Sequence, residues 1–168
     1  CYANKTRAIE LASNEWCILL DSDNVIQADY LQAMDAARPW DPTVVYAPVW
    51  AKPVHDYRAF AGACVDRTNL KLFFDLPRFT TALNTSNYFV NRAEFLRCTD
   101  RSVDPGTSEA MYRLYGWLVA GNSVYFVPGL VYDHRIHGSS HYSLNYPRYA
   151  EFDAALREQY RRLIEVSA

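Results

Sequence analysis

With 168 residues, half of them apolar and 21% charged, the chain has the composition of an ordinary globular domain, large enough to bury a core without disulfide or metal staples. A formal net charge of −2 and a pI near 6.1 argue against non-specific binding to nucleic acid or to an anionic membrane. No stretch approaches the length of a membrane span.

Four cysteines, Cys1, Cys17, Cys64 and Cys98, are widely spaced and form no C-x-x-C pair, which argues against a zinc knuckle and fits a reducing, cytoplasmic setting. Cys17 lies within an apolar run and is expected as a buried thiol. Aromatic residues make up 15%, with thirteen Tyr and four Trp, a supply that suits carbohydrate or nucleobase contacts and a core equally.

In chain order, 4–12 reads as a helix with Ala8, Ile9 and Ala12 on one face and Asn4 or Thr6 as its cap. Residues 16–20 read as a buried strand. Ile26, Tyr30, Leu31 and Met34 then fall at helical spacing, and that helix must stop before Pro39. The stretch 43–50 is β-rich, with Pro48 marking departure from the sheet or an edge position. Between 51 and 80 the pattern is irregular, with a short helix ended by Pro77 as one reading.

Tyr88-Phe-Val90 is a third strand, followed by a short helix near 93–98 and a loop holding Asp100, Asp104, Pro105 and Gly106. Thr107 or Ser108 caps a helix to about Ala120, stopped by Gly121. Strands at 123–127 and 130–133 are separated by Pro128-Gly129, and 135–146 read as a polar loop. Pro147 then opens an amphipathic helix carrying Tyr149, Phe152, Leu156, Tyr160 and Leu163. Together the strands are expected to form one mixed sheet flanked by helices, an α/β fold in a single domain over 1–168.

The strongest chemical signal is W-C-I-L-L-D-S-D-N over 16–24. An apolar strand here delivers Asp21 and Asp23 to its carboxyl end, where open α/β sheets place ligands. Side chains two apart on an extended segment share a side, so both carboxylates can address one ion. Asp is equally a common turn former and helix cap.

The run Asn4 to Asn24 resembles the helix, strand and DxD element of family 2 glycosyltransferases of the GT-A fold. Asn87-Tyr-Phe-Val-Asn-Arg92 is similar to that family's acceptor-side strand. Ser108 to Gly121, leading into Val124-Tyr-Phe-Val127, resembles its "ED" helix and following strand, and Val131-Tyr-Asp-His-Arg135 resembles the strand end with its late His. Nothing matches the family's opening βαβ segment, which holds the nucleotide base and ribose. With Cys1 in place of Met, the expectation is a truncated GT-A domain lacking its amino-terminal nucleotide-binding segment. The strand edge uncovered in this way is expected to self-associate.

The resemblance implies transfer of a sugar from a nucleotide-diphosphate donor to a glycan, lipid or other hydroxyl acceptor, with inversion. It implies Mn²⁺ or Mg²⁺ on Asp21, Asp23 and His134, with Asp23 the more direct ligand. Arg135, Ser139 and His141, with Asp21, are expected on the donor diphosphate, and Trp50 and Asn87 on the acceptor. An inverting transfer needs a base. Where the family has two consecutive acids this chain has Glu109-Ala110, so Glu109 is either the base or a partner of the helix macrodipole. Asp104 is the reserve base, and Gly116 stands where the family often has Arg. Two rival readings remain: a non-catalytic carbohydrate- or nucleotide-binding fragment, and a nucleotidyltransferase, whose expected Gly-rich phosphate loop is not visible.

Overall fold

The computed structural model describes residues 2–135 and 141–167, with only the backbone of 141–143. Its first element, α1 (Tyr2–Leu11), buries Tyr2, Thr6 and Ile9 along one face. Asn4 and Thr6 lie inside the helix and do not cap it. The Thr6 hydroxyl donates one turn back to the Tyr2 carbonyl at 3.0 Å, as threonines inside helices do.

After α1 come β1 (Trp16–Ile18), α2 (Ala28–Ala36), β2 (Val44–Ala47), β3 (Trp50–Lys52), β4 (His55–Asp56), β5 (Cys64–Val65), α3 (Phe79–Ala82), β6 (Phe89–Asn91) and α4 (Arg92–Arg97). The chain closes with α5 (Glu109–Val119), β7 (Ser123–Phe126), β8 (Val131–Asp133) and α6 (His141–Val166). The fold is mixed α/β. None of its described helices is long and apolar enough to cross a membrane.

Two sheets replace the single expected one: a five-stranded sheet ordered β1-β6-β2-β7-β5 and a three-stranded sheet ordered β4-β3-β8. Parallel neighbours β2 and β7 belong to the first, and their continuations β3 and β8 pair in parallel in the second. Both chains leave the first sheet at a proline, Pro48 or Pro128, which has no N–H to give the ladder. They stay paired through the bend, because Val127 N donates to the Ala47 carbonyl at 3.0 Å and Val49 N to the Leu130 carbonyl at 2.9 Å.

Alternation along the strands sorts the core into two layers. Val45, Ala47, Val90, Val124 and Phe126 join one cluster with α5 and α6 residues such as Leu114, Trp117, Leu156 and Tyr160. Tyr46, Phe89 and Val127 face the other with Tyr30 and Met34 of α2. As an edge strand, β1 leaves Cys17 half-buried where a buried thiol was expected, and Cys17, Cys64 and Cys98 are free thiols.

The last helix starts at His141, six residues before Pro147, so 141–146 are helical and Pro147 lies inside the helix. Its inner face locks the start of α5. Tyr160 donates to the Met111 carbonyl at 2.7 Å, and Ser108, one of the two residues expected to cap α5, stands at the N-cap but donates its hydroxyl to Asp153 at 2.9 Å. Gly106, at φ +55°, lets the Tyr149 ring approach so closely that a Cβ there would overlap the ring atoms. Gly106→Ala is therefore expected to destabilise the fold by about 1–3 kcal/mol, read from chemical denaturation, and an unchanged midpoint would refute this packing.

Glu94 ties α4 to the chain before β7, accepting from Arg97 Nε at 2.8 Å and Asn122 Nδ2 at 2.7 Å. Arg97 chiefly, with Asn122 adding to it and burial opposing, brings its pKa from 4.5 down to about 2. A depressed folded-state pKa gives stability that is complete above the unfolded value and lost as pH falls through the folded one. Glu94→Gln is expected to flatten the stability–pH curve between about pH 4.5 and 2. A parallel acid limb in the variant would show that Glu94 contributes nothing there.

Candidate functional site

Antiparallel pairing of β1 with β6, with Ile18 opposite Phe89, puts the chain entering β6 beside the chain leaving β1. Leu19 N extends the pairing by donating to the Tyr88 carbonyl at 2.8 Å. Asp21 N then donates to the Asn87 side-chain oxygen at 3.0 Å, which fixes where the first carboxylate of the D-S-D turn leaves the strand.

Asn87 and its neighbour Ser86 both have φ near +58°, and both are buried. Two consecutive non-glycine residues in this region are a local strain that the surroundings must impose. Asn87 is 0% exposed, and its carbonyl accepts from the Tyr30 hydroxyl at 2.9 Å. Its amide N–H donates to Thr85 O at 3.1 Å. The expectation that Asn87 touches an acceptor is therefore corrected: it is enclosed, and its polar atoms orient Asp21.

The centre of the site is Lys5, a residue that no sequence motif marks. Its ammonium, on α1, pairs with Asp21 at 2.5 Å and with Glu109 at the start of α5, and donates to the Ser86 hydroxyl at 3.1 Å. Asp21 and Glu109, 88 positions apart in sequence, thus meet at one cation. Burial alone would lower the Lys5 pKa, but Glu109 and Asp21 outweigh it and the net shift is upward. One turn beyond Glu109, the buried Arg113 guanidinium stacks 4.0 Å over the Tyr2 ring and donates to Tyr2 O and Thr6 Oγ1. Burial pulls its pKa down, with Tyr2 and Glu109 opposing.

The turn itself closes through Asn24 N donating to the Asp21 carbonyl at 3.0 Å. Beyond it, Val25 and Asp133 exchange backbone hydrogen bonds of 3.0 and 2.8 Å, which docks the end of β8 against the turn. His134 is thereby brought to Asn24, whose side-chain oxygen lies 3.1 Å from Nδ1. The Tyr132 phenol is held protonated mainly by burial, against a hydrogen bond with Asn87 and with Asp21 and Asp23 adding to the upward shift. His55 stands beside His134 with ring centroids 5.4 Å apart, and its pKa is lowered by burial, then by His134 and Arg78.

Other expected site residues fall elsewhere. Asp104 lies in the exposed loop before α5, accepting from Gly106 N at 3.1 Å and from the Tyr149 hydroxyl at 3.3 Å, in a groove shared with Tyr2 and Arg7 of α1. Trp50 is half-buried with the Arg58 guanidinium 4.2 Å over its ring, and Arg58 is itself held by Asp56. Arg135 is exposed next to His134. Ser139 and the His141 side chain lie outside the described residues.

No protein-family model, no curated protein and no solved structure matches the chain. The site is therefore read from its own geometry.

Replacing Asn87 separates its two contributions. Asn87→Ala loses the bond to Asp21 N and places a residue less suited to positive φ, for an expected cost of about 1–3 kcal/mol. Asn87→Gly loses the same bond without that steric cost and is expected to be the milder of the two. Equal stability of both variants and the parent protein would remove Asn87 from the support of the site.

Proposed function

We propose that this chain forms the metal and acceptor side of a GT-A-type glycosyltransferase, moving a sugar from a nucleotide-diphosphate donor to an acceptor hydroxyl with inversion. The observation that carries this reading is the meeting of Asp21 and Glu109 at Lys5, beside a strand-end turn whose far side is bound to His134. Carboxylates gathered at a strand end, where α/β sheets take their ligands, are what a cation-assisted phosphate site would use, which supports this reading.

Among the described residues no group of three His, Cys, Asp or Glu side chains is placed to hold a metal ion. A hard divalent ion that works on phosphates can be held by one or two carboxylates, with water and substrate oxygens completing its shell. Mn²⁺ or Mg²⁺ on the D-S-D turn is the proposal that the resemblance supplies. Asp23 and Asp21 would supply oxygens, and the His134 imidazole would favour Mn²⁺. Asp23 would be the more direct ligand, as the second Asp is in the pattern that the turn resembles. Bound there, the ion would offset the negative charge that builds on the departing diphosphate.

The chain's own groups divide the remaining work. Glu109 would take the acceptor proton as base, with Asp104 the alternative. Arg135, and Ser139 and His141 beyond it, would hold donor phosphate by charge-assisted hydrogen bonds. Trp50 would offer an aromatic surface to the acceptor sugar.

A non-catalytic nucleotide- or carbohydrate-binding role is the second reading. It is favoured by Ala110 in place of the second acid and by the engagement of both Asp21 and Glu109 with Lys5. Calorimetry with Mn²⁺ and a panel of nucleotide-diphosphate sugars separates the two. Metal-linked donor binding, together with transfer, is expected. Asp23→Ala is expected to abolish that binding with an unchanged circular dichroism spectrum, while Glu109→Gln keeps binding and slows turnover by about 10²–10⁴-fold. Donor binding indifferent to metal and to Asp23 would leave the binding role as the better account.

A further inference from the structure

Three N–H and O–H donors, His55, Tyr57 and Arg78, gather at the three-stranded sheet, and the proposed reaction uses none of them. Ala51 pairs with His55 on β4 and with Tyr132 on β8, which puts both of those side chains on one face; His134, two residues after Tyr132, follows on that face. The His55 and His134 rings are accordingly 5.4 Å apart. The Tyr57 ring lies parallel to that of His55, at 4° and 6.2 Å between centroids. Tyr57 is 1% exposed, and its buried hydroxyl has no hydrogen-bond partner among the described residues.

The third donor, Arg78, comes from the segment before α3. It is exposed, at φ +67°, and its charge acts on His55, Asp56 and Tyr57 in turn, so the guanidinium stands near β4. Asp56 is committed to Arg58, which donates to it at 2.7 and 3.0 Å. The charged groups that act on His55 are His134 and Arg78, with no carboxylate among them. A buried hydroxyl without a partner costs stability, and basic groups gathered without a counter-charge repel one another. A guanidinium fork flanked by imidazole N–H and phenol O–H donors is a set suited to phosphate oxygens.

We infer that His55, Tyr57 and Arg78 form a subsite for a phosphate group of a ligand, at the three-stranded sheet beside His134. The inference goes beyond the proposed reaction, since it holds for a transferase and for a binding protein alike. The Tyr57 hydroxyl is closed to solvent in the structure, so a ligand oxygen reaches it by local opening, for which the long, exposed Arg78 side chain has room.

Two variants separate this role from a structural one, because each removes a donor without harming the fold. Tyr57→Phe deletes a hydroxyl that bonds to nothing described, and Arg78→Gly places at φ +67° the residue that best tolerates it. Both are expected to melt at or above the temperature of the parent protein. Inorganic pyrophosphate in buffer containing EDTA is the probe, followed by calorimetry. The parent is expected to bind it, and each variant to bind it roughly tenfold more weakly or worse. Competition then identifies the source of the group: a nucleoside diphosphate displaces pyrophosphate if the phosphate belongs to a donor, and a sugar monophosphate does so if it belongs to an acceptor.

Absence of pyrophosphate binding by the parent overturns the inference. So does binding that both variants retain at the parent's affinity, which would put the anion elsewhere on the surface. Unfolding or a much lower melting temperature of Tyr57→Phe overturns it as well, since the hydroxyl would then serve the fold. The metal-linked binding that tests the proposed function is measured separately, so either reading can fail while the other stands.

Discussion

The interaction on which the site depends is the shared ammonium of Lys5. Asp21 and Glu109 come from opposite halves of the chain and would repel if brought together alone, at a cost that rises with their burial. Lys5 converts that repulsion into attraction and fixes three elements relative to one another: α1, the turn after β1 and the start of α5. Arg113 supports the same arrangement from behind, since it binds Tyr2 O and Thr6 Oγ1 on α1 while standing one turn from Glu109 on α5. The junction of α1 with α5 is thus polar and charge-assisted. It is also specific in geometry in a way that apolar contact alone is not.

Everything else in the fold works to bring the three parts within reach. The antiparallel strand β6 lies beside β1, so the entry to β6 supplies Ser86 and Asn87 at the point where β1 ends. The paired prolines that bend the sheet carry β8 out of the first sheet and lay its end against Val25, which places His134 at Asn24. From the other side, α6 holds the chain on both sides of Glu109, through Tyr149 and Asp153 before it and Tyr160 after it. Strain at Ser86 and Asn87 is tolerated because buried partners on several elements determine their positions.

Much of this is legible in the residues. The β-rich runs Val44–Ala47 and Ser123–Phe126 mark strands, and the apolar run before Asp21 and Asp23 marks β1. The second sheet is half-legible: Pro48 and Pro128 announce departures, but only tertiary pairing of β3 with β8 beyond the bend makes a sheet there. Lys5 is not legible, because a lysine beside the buried stripe of a helix normally extends its ammonium to solvent, and only tertiary contacts reveal its two carboxylate partners. Asn87 misleads for a related reason. Its strand-end position suits ligand contact, while its positive φ and full burial come from β1 and α2 packing around it. The early start of α6 is hidden by Pro147, which local preference places at a first turn.

The two departures from the family pattern on α5 are also matters of packing. Ala110 is 2% exposed and belongs to the main apolar cluster, so a carboxylate at that position would enter the core without a partner. At Gly116, a Cβ would come within 2.7 Å of the Cys98 carbonyl, so a larger side chain requires α4 and α5 to separate. The start of α5 is therefore built for one acid, and that acid is already matched to a cation.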